Sequence, residues 1–382
     1  MRSRRRTSPA SLPGCLRPAT AACPDTCNCT ATRRALRRTS KPPSRDTASR
    51  FRSPATDTKA TSCTRISRRK RSPAMLEARS PELQAFLKAV YAGAEQLAAA
   101  SREIGGVREI MDGFVGVFPV PEGVRVDPAD CDGVPAEWLS PAEAAADRAI
   151  LYMHGGCYIS GSPGVVREFC GRLANASRTR ILSIDYRLAP EHPFPAALED
   201  ALTCYRWLLE QGHDPTRIAV AGESAGGGLT LALLMQCRDL SLPMPACGVP
   251  ISPWVDMELS FGESLTRNEG IDLAPVEPLR LGRAAYAGEK HLRNPLASPL
   301  YGDLSGLPPL LVQVGTREVL HDEGVEVARL AESAGVDVTL QRWEDMIHVW
   351  HWYASIFPEA QEAIEALGEW IAAHLPSSAA AA

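Results

Sequence analysis

The sequence predicts an α/β fold, a mostly parallel sheet with helices packed on both faces. Eight segments have the pattern of strands, and from the fourth strand onward helical stretches separate them. Several strands are almost continuously apolar, as over 150–153 and 310–314, which is typical of strands buried on both faces. The early strands follow one another without helices between them, so they are free to be antiparallel.

The first predicted element is an amphipathic helix over 81–91, because a Ser-Pro start signal precedes apolar residues at helical spacing. A second helix is predicted over about 92–104. Segment 256–300 breaks the alternation with short helical pieces at the sheet edge where α/β folds bind ligands. Together with about 75–112 it is predicted to form a helical cap over a pocket. The predicted strands are 122–128, 133–140, 148–153, 179–186, 217–222, 246–254, 308–315 and 337–344.

The first 74 residues differ in composition from the rest of the chain. They hold 19 Lys and Arg against three Asp, whereas the 382-residue chain has a net charge of −4. A segment so rich in Arg, Ser, Thr and Pro buries too little apolar surface to fold, so we expect a disordered basic tail. The preferred interpretation is a non-native extension before a natural start at Met75. A transit peptide and a nucleic-acid-binding arm are the alternatives, but prolines interrupt any helix and interleaved aromatic residues are lacking.

Residues 75–382 are predicted to form one domain. No apolar run approaches the length of a membrane span, so no membrane partner is expected. The cysteines of this domain lie mostly in apolar segments without paired spacing, which favours buried free thiols and a cytoplasmic location. Cysteines 23, 27 and 29 miss the usual zinc spacing, and neither a metal nor an organic cofactor is expected.

Two loop motifs follow predicted strands. Gly222-Glu223-Ser224-Ala225-Gly226 lies between an apolar strand and a helix, which is the pattern of a nucleophile elbow. His154-Gly155-Gly156-Cys157 follows the strand 148–153. Because parallel strands end at the same edge of a sheet, the two loops can meet over one carbonyl group.

With segments 185–196, 252–254, 295–301 and 347–350, these motifs resemble the hormone-sensitive-lipase-like family of α/β hydrolases over about 75–375. The chain is most similar to the short-chain esterases and ε-lactone hydrolases of that family. The resemblance implies the α/β-hydrolase fold, a serine carboxylester hydrolase, a small-molecule ester or lactone substrate, and a possible homodimer through the last strand. A lactone hydrolase with the same triad and a non-catalytic small-molecule receptor are the alternatives.

The triad of this fold runs Ser, then Asp or Glu, then His. Ser224 and His348 fit the first and last places. Where the family has Asp-x-Leu-x-Asp-Glu, this chain begins the motif with Glu318, which is therefore the predicted acid. Asp322, four residues later, is predicted to cap the following helix.

The oxyanion hole is predicted from the backbone N–H groups of Gly155, Gly156 and Ala225. Cys157 stands where the family more often has glycine, from which we infer that this position needs no positive φ. The predicted pocket residues are Cys157, Tyr158, Trp254, Met257, Phe261 and Leu265.

Overall fold

The computed structural model of the chain describes residues 80–376. The predictions for residues 1–74, including the disordered tail and the start at Met75, lie outside the described residues. Within them, all eight predicted strands are present in one sheet. They are β1 (Val124–Cys131), β2 (Val134–Pro141), β3 (Ala145–Met153), β4 (Thr179–Ile184), β5 (Ile218–Glu223), β6 (Cys247–Ile251), β7 (Leu310–Gly315) and β8 (Val338–Trp343).

The strand order is β1-β2-β4-β3-β5-β6-β7-β8. Strand β2 pairs antiparallel with β1 and β4, while every other neighbouring pair is parallel. Strands β5, β6 and β7 are buried along their whole lengths, which explains their nearly continuous apolar sequences. The carboxyl ends of β3 to β8 therefore share one edge, and the loops at this edge carry the site described below.

The helices are α1 (Pro81–Ala100), α2 (Ile104–Asp112), α3 (Pro163–Ser177), α4 (Ala196–Glu210), α5 (Ala225–Asp239), α6 (Ser264–Arg267), α7 (Val276–Gly282), α8 (His321–Ser333) and α9 (Pro358–His374). Helices α3 and α9 pack on one face of the sheet, and α4, α5 and α8 pack mainly on the other. The core thus consists of two apolar layers separated by the sheet.

The prediction of two helices over 81–104 is wrong. Ser80 caps α1 by accepting a hydrogen bond from the Leu83 amide, and α1 then runs unbroken for 20 residues. No Pro or Gly-rich break stands in its second half, so the chain turns only after Ala100. Within residues 80–376, no helix is long and apolar enough to cross a membrane.

Candidate active site

Ser224 lies at the tight turn between β5 and α5. Its backbone has φ 57° and ψ −118°, a strained conformation that positions the residue at the end of the strand. The turn brings chain segments so close that a Cβ at Gly222 would collide with the Gly226 carbonyl, and one at Gly226 with the Met153 carbonyl. Only glycine fits at these two positions, which is the physical basis of the predicted elbow.

The loop after β3 makes a second tight turn beside Ser224. The amides of Ile159 and Ser160 both donate to the Gly156 carbonyl, and this turn places Cys157 and Tyr158 at φ 56° and 62°. The inference that Cys157 needs no positive φ is therefore wrong. The structure accommodates about 1–2 kcal/mol of strain per left-handed residue, and the Tyr158 ring stacks on Tyr286 with centroids 3.8 Å apart.

The side chain of Glu223, the residue before Ser224, holds the loop after β3 through a hydrogen bond. It is fully buried, and its Oε1 accepts the Gly155 N–H at 2.5 Å while Oε2 accepts the Tyr152 hydroxyl. Burial raises the pKa of Glu223 to about 7, although the two hydrogen bonds oppose that rise. The Gly155 N–H is thus already used, so its predicted place in the oxyanion hole is wrong.

Glu318 extends from the loop after β7 and is fully buried. Its Oε1 accepts hydrogen bonds from the Ser252 hydroxyl at 2.8 Å and from the Gly315 amide at 2.5 Å. Its Oε2 lies 3.2 Å from His348 Nδ1. One carboxylate oxygen is therefore anchored by the protein while the other holds the imidazole.

His348 follows β8 and faces the same edge of the sheet. Burial alone would lower its pKa, but the hydrogen bond and charge of Glu318, with the charges of Asp272 and Glu223, outweigh burial and raise it. Its side chain is 11% exposed, and together with Ser224 it lines one cavity of about 160 Å³. The hydrogen bonds of His348 go to Asp272 and Glu318 and not to the Ser224 hydroxyl, and the bond between a base and its nucleophile often tightens only around a substrate.

The cavity walls come mainly from the helices that precede the sheet and from the segment between β6 and β7. Gly155, Gly156 and Cys157, from the loop after β3, also line the cavity. The apolar side chains that surround it include Leu97, Val107, Met111, Phe114, Leu279 and Trp352.

Five of the six predicted pocket residues lie elsewhere, and Cys157 alone lines the cavity. After β6 the chain folds back onto α5, where the Trp254 amide donates to the Ser224 carbonyl at 2.9 Å. This path places the apolar residues that follow β6 in the core instead of along the cavity wall. Tyr158, Trp254, Met257 and Leu265 are buried in the core, and Phe261 packs against it.

Asp322 does not cap α8 as predicted, because that helix begins one residue earlier, at His321. Its carboxylate instead accepts the amides of Glu263 and Ser264 at 2.8 and 3.0 Å and pairs with Arg267. Asp322 therefore anchors the start of α6, and its carboxylate bonds to Glu263, Ser264, Arg267 and His321 rather than to His348.

Sequence reasoning also missed Ser252 and Asp272. The Ser252 hydroxyl donates to the Glu318 carboxylate, and Asp272 accepts the His348 backbone amide at 2.7 Å. Ser252 stands in the Ser-Pro-Trp segment directly after β6, and its place at a strand end is the signal that could have identified it. Among residues 80–376, no group of three or more His, Cys, Asp or Glu side chains is arranged to hold a metal ion.

We expect a bulky maleimide to inactivate the protein slowly through Cys157. Burial raises the pKa of this thiol to about 12, so little thiolate is present near neutral pH and the rate should increase with pH. The other cysteines of the described region are buried. A Cys157→Ala chain should resist inactivation. If mass spectrometry shows complete labelling of Cys157 and the protein is still fully active, the placement of this thiol in the cavity is contradicted.

The comparisons with known proteins agree with this fold. The family described as alpha/beta hydrolase fold matches residues 150–352. An acetyl-hydrolase of Streptomyces hygroscopicus is 44% identical over 256 residues, which cover 67% of this chain and 84% of that protein. An esterase of Acinetobacter venetianus is 34% identical over 288 residues, 75% of this chain and 93% of that protein. A solved esterase from the bacterial hormone-sensitive lipase family has 43% identity and a TM-score of 0.74, covering 78% of this chain and all of that one.

The fold and these relatives define the class of protein as an esterase-type hydrolase. The chain belongs to the α/β hydrolase family, in its hormone-sensitive lipase branch. The predictions of the fold and of the family are confirmed.

Proposed function

We propose that this protein is a serine carboxylester hydrolase for short- to medium-chain esters, with Ser224, His348 and Glu318 as its triad. The observation that carries the proposal is that Ser224, on its strained turn, and His348, held by buried Glu318, line one cavity. A non-catalytic receptor on the same fold would have no use for an imidazole oriented by a buried carboxylate.

In this mechanism His348 takes the proton of the Ser224 hydroxyl as the oxygen attacks the ester carbonyl. The imidazolium that forms is stabilised by Glu318 at Nδ1. It then protonates the departing alcohol, which leaves an acyl group on Ser224. A water molecule activated by His348 releases the acid and restores the serine.

The oxyanion would be stabilised by the backbone N–H groups of Gly156, Cys157 and Ala225. Gly155 is excluded because its N–H donates to Glu223. Gly156 and Cys157 come next in the loop and line the cavity, and Ala225 is the first residue of α5. None of these three amides has an acceptor among residues 80–376, and each such donor typically contributes about 3 kcal/mol to transition-state stabilisation.

The substrate is inferred from the size and lining of the cavity. A volume of about 160 Å³ with apolar walls suits a short acyl chain, in keeping with the acetyl-hydrolase and esterase names of the relatives. We infer that α1, α2 and α7, which supply these walls, act as the cap of the site.

We expect kcat/KM on p-nitrophenyl esters to fall steeply between acyl lengths of about C8 and C12, because longer chains exceed the cavity. A series from acetate to palmitate, measured below the micellar concentration of each ester, checks this expectation. A maximum at palmitate would contradict it. A lactone panel run beside the series decides the alternative substrate class, since ring-opening needs the same triad.

We also propose a cytoplasmic location, supported by the free thiols of the described cysteines. The proposed homodimer would pair through β8, which lies at an edge of the sheet. Light scattering of the purified protein tests the dimer.

A further inference from the structure

Three buried polar side chains lie four residues apart in the segment between β6 and β7. They are Ser264, Asn268 and Asp272, with exposures of 1%, 4% and 8%. Buried polar groups are costly unless they are hydrogen-bonded, so their partners indicate what they do. All three are bonded to the loops that carry Glu318 and His348.

Ser264 and Asn268 hold the backbone of the acid loop. The Ser264 hydroxyl donates to the Val319 carbonyl at 2.8 Å. The Asn268 amide donates to the Glu318 carbonyl at 2.7 Å. These contacts fix the main chain on both sides of the bond that links Glu318 to Val319.

Asp272 differs from the other two because it joins both loops. One carboxylate oxygen accepts the Val319 amide at 2.8 Å, and the other accepts the His348 amide at 2.7 Å. Val319 is the neighbour of Glu318, so a single carboxylate connects the main chain of the acid to the main chain of the base. This main-chain link is a second connection between the two loops, in addition to the side-chain contact between Glu318 and His348.

The charged and titratable groups around Asp272 are Glu318 from the acid loop, His348 from the base loop and Tyr353 from the turn after it. No Lys or Arg forms an ion pair with Asp272 in the described part of the chain. Burial raises the pKa of Asp272 to about 6, the charge of His348 opposes that rise, and Glu318 adds to it. The positive charge that stabilises ionised Asp272 is therefore the one that develops on His348 during catalysis.

Asp272 also adjoins the wall of the cavity. The next three residues, 273–275, line it directly. A substrate in the cavity would therefore contact the chain next to the carboxylate that joins the two triad loops.

We propose that Asp272 is a positioning residue that fixes the two triad loops relative to each other and adds a second negative charge behind the imidazolium. This inference rests on the proposed function of the site. It extends the triad to a residue of the segment that covers the pocket, so the geometry of the base depends on the cap.

The test is Asp272→Asn, which keeps the size of the side chain but removes its charge and presents an NH₂ group to one of the two amides. We expect kcat to fall at least about tenfold with KM changed little, since small displacements of a catalytic base cost up to about 10²-fold. The Asp272 charge raises the pKa of His348. His348 acts in its neutral form, so removing that charge should move the acid limb of kcat/KM to lower pH.

Two further variants separate this role from general effects. Asp272→Glu keeps the charge but changes the geometry. Its kcat should therefore fall while the acid limb of its kcat/KM profile stays near that of the wild type. This variant serves as the test if Asp272→Asn does not fold. Glu277→Gln removes an exposed carboxylate of α7 and controls for loss of a cap charge.

The outcomes distinguish this inference from the proposed function. A wild-type protein that hydrolyses no ester ends both. If the wild type is active and Ser224→Ala is inactive, the proposed function stands. An Asp272→Asn chain with unchanged kcat or an unmoved acid limb then overturns the role of Asp272 alone. A kcat loss and limb shift equal to those of Glu277→Gln also overturn it.

Discussion

Ser224→Ala is expected to lower kcat for p-nitrophenyl butyrate by about 10⁶-fold, because loss of a serine nucleophile removes the covalent pathway. The fold should persist, since alanine is smaller than serine and the turn is constrained by Gly222 and Gly226 rather than by the hydroxyl. Hydrolysis is followed at 405 nm beside a circular dichroism melt of the same preparation.

The control for this variant is its affinity for substrate. The cavity walls are unchanged, so Ser224→Ala should still bind the ester with an affinity near that of the wild type. Turnover at more than a few per cent of the wild-type rate would contradict the serine mechanism.

Glu318→Gln is expected to lower kcat by at least about 10²-fold. The glutamine cannot offer a charged partner to the imidazolium, and the tautomer of His348 is no longer fixed. Because Glu318 contributes to raising the pKa of His348, the variant should also shift the acid limb of kcat/KM to lower pH. A pH series of initial rates on the purified variant measures both effects.

Asp322→Asn is the matched control, since it changes another carboxylate of the same segment. It should leave kcat within a few-fold and reduce stability by no more than about 1–2 kcal/mol, through weaker bonding to the start of α6 and to Arg267. A large loss of kcat in Asp322→Asn together with near-wild-type kcat in Glu318→Gln would overturn the assignment of Glu318 as the acid.

Much of the fold follows from local sequence properties. The nearly continuous apolar runs of β5, β6 and β7 and the helices between the strands predict a parallel sheet. The strand ends then place Ser224, Glu318 and His348 at one edge, which makes them candidates for a common site. Strand boundaries were less predictable: the strand predicted over 246–254 ends at Ile251, because the chain turns sharply at Ser252, with φ 43°.

The rest depends on contacts between distant segments. Trp254 and Met257 are apolar and close to the site in sequence, but the chain folds them under α5 into the core. The cavity is lined instead by residues of α1 and α2. They lie within the segment 75–112 predicted to cover the pocket, but the periodicity of these helices does not show which of their side chains line it. Likewise, the use of the Gly155 amide is decided by Glu223, 68 residues later in the chain.

The central claim is that Ser224 is the nucleophile of an esterase, and covalent trapping tests it most directly. The protein is incubated with diethyl p-nitrophenyl phosphate, and released nitrophenol, remaining esterase activity and the labelled peptide are measured on the same samples. We predict one diethylphosphoryl group per chain, attached to Ser224, with activity lost in proportion to labelling and no labelling of Ser224→Ala. Activity that survives complete labelling of Ser224, or inactivation with the label on another residue, would contradict the account.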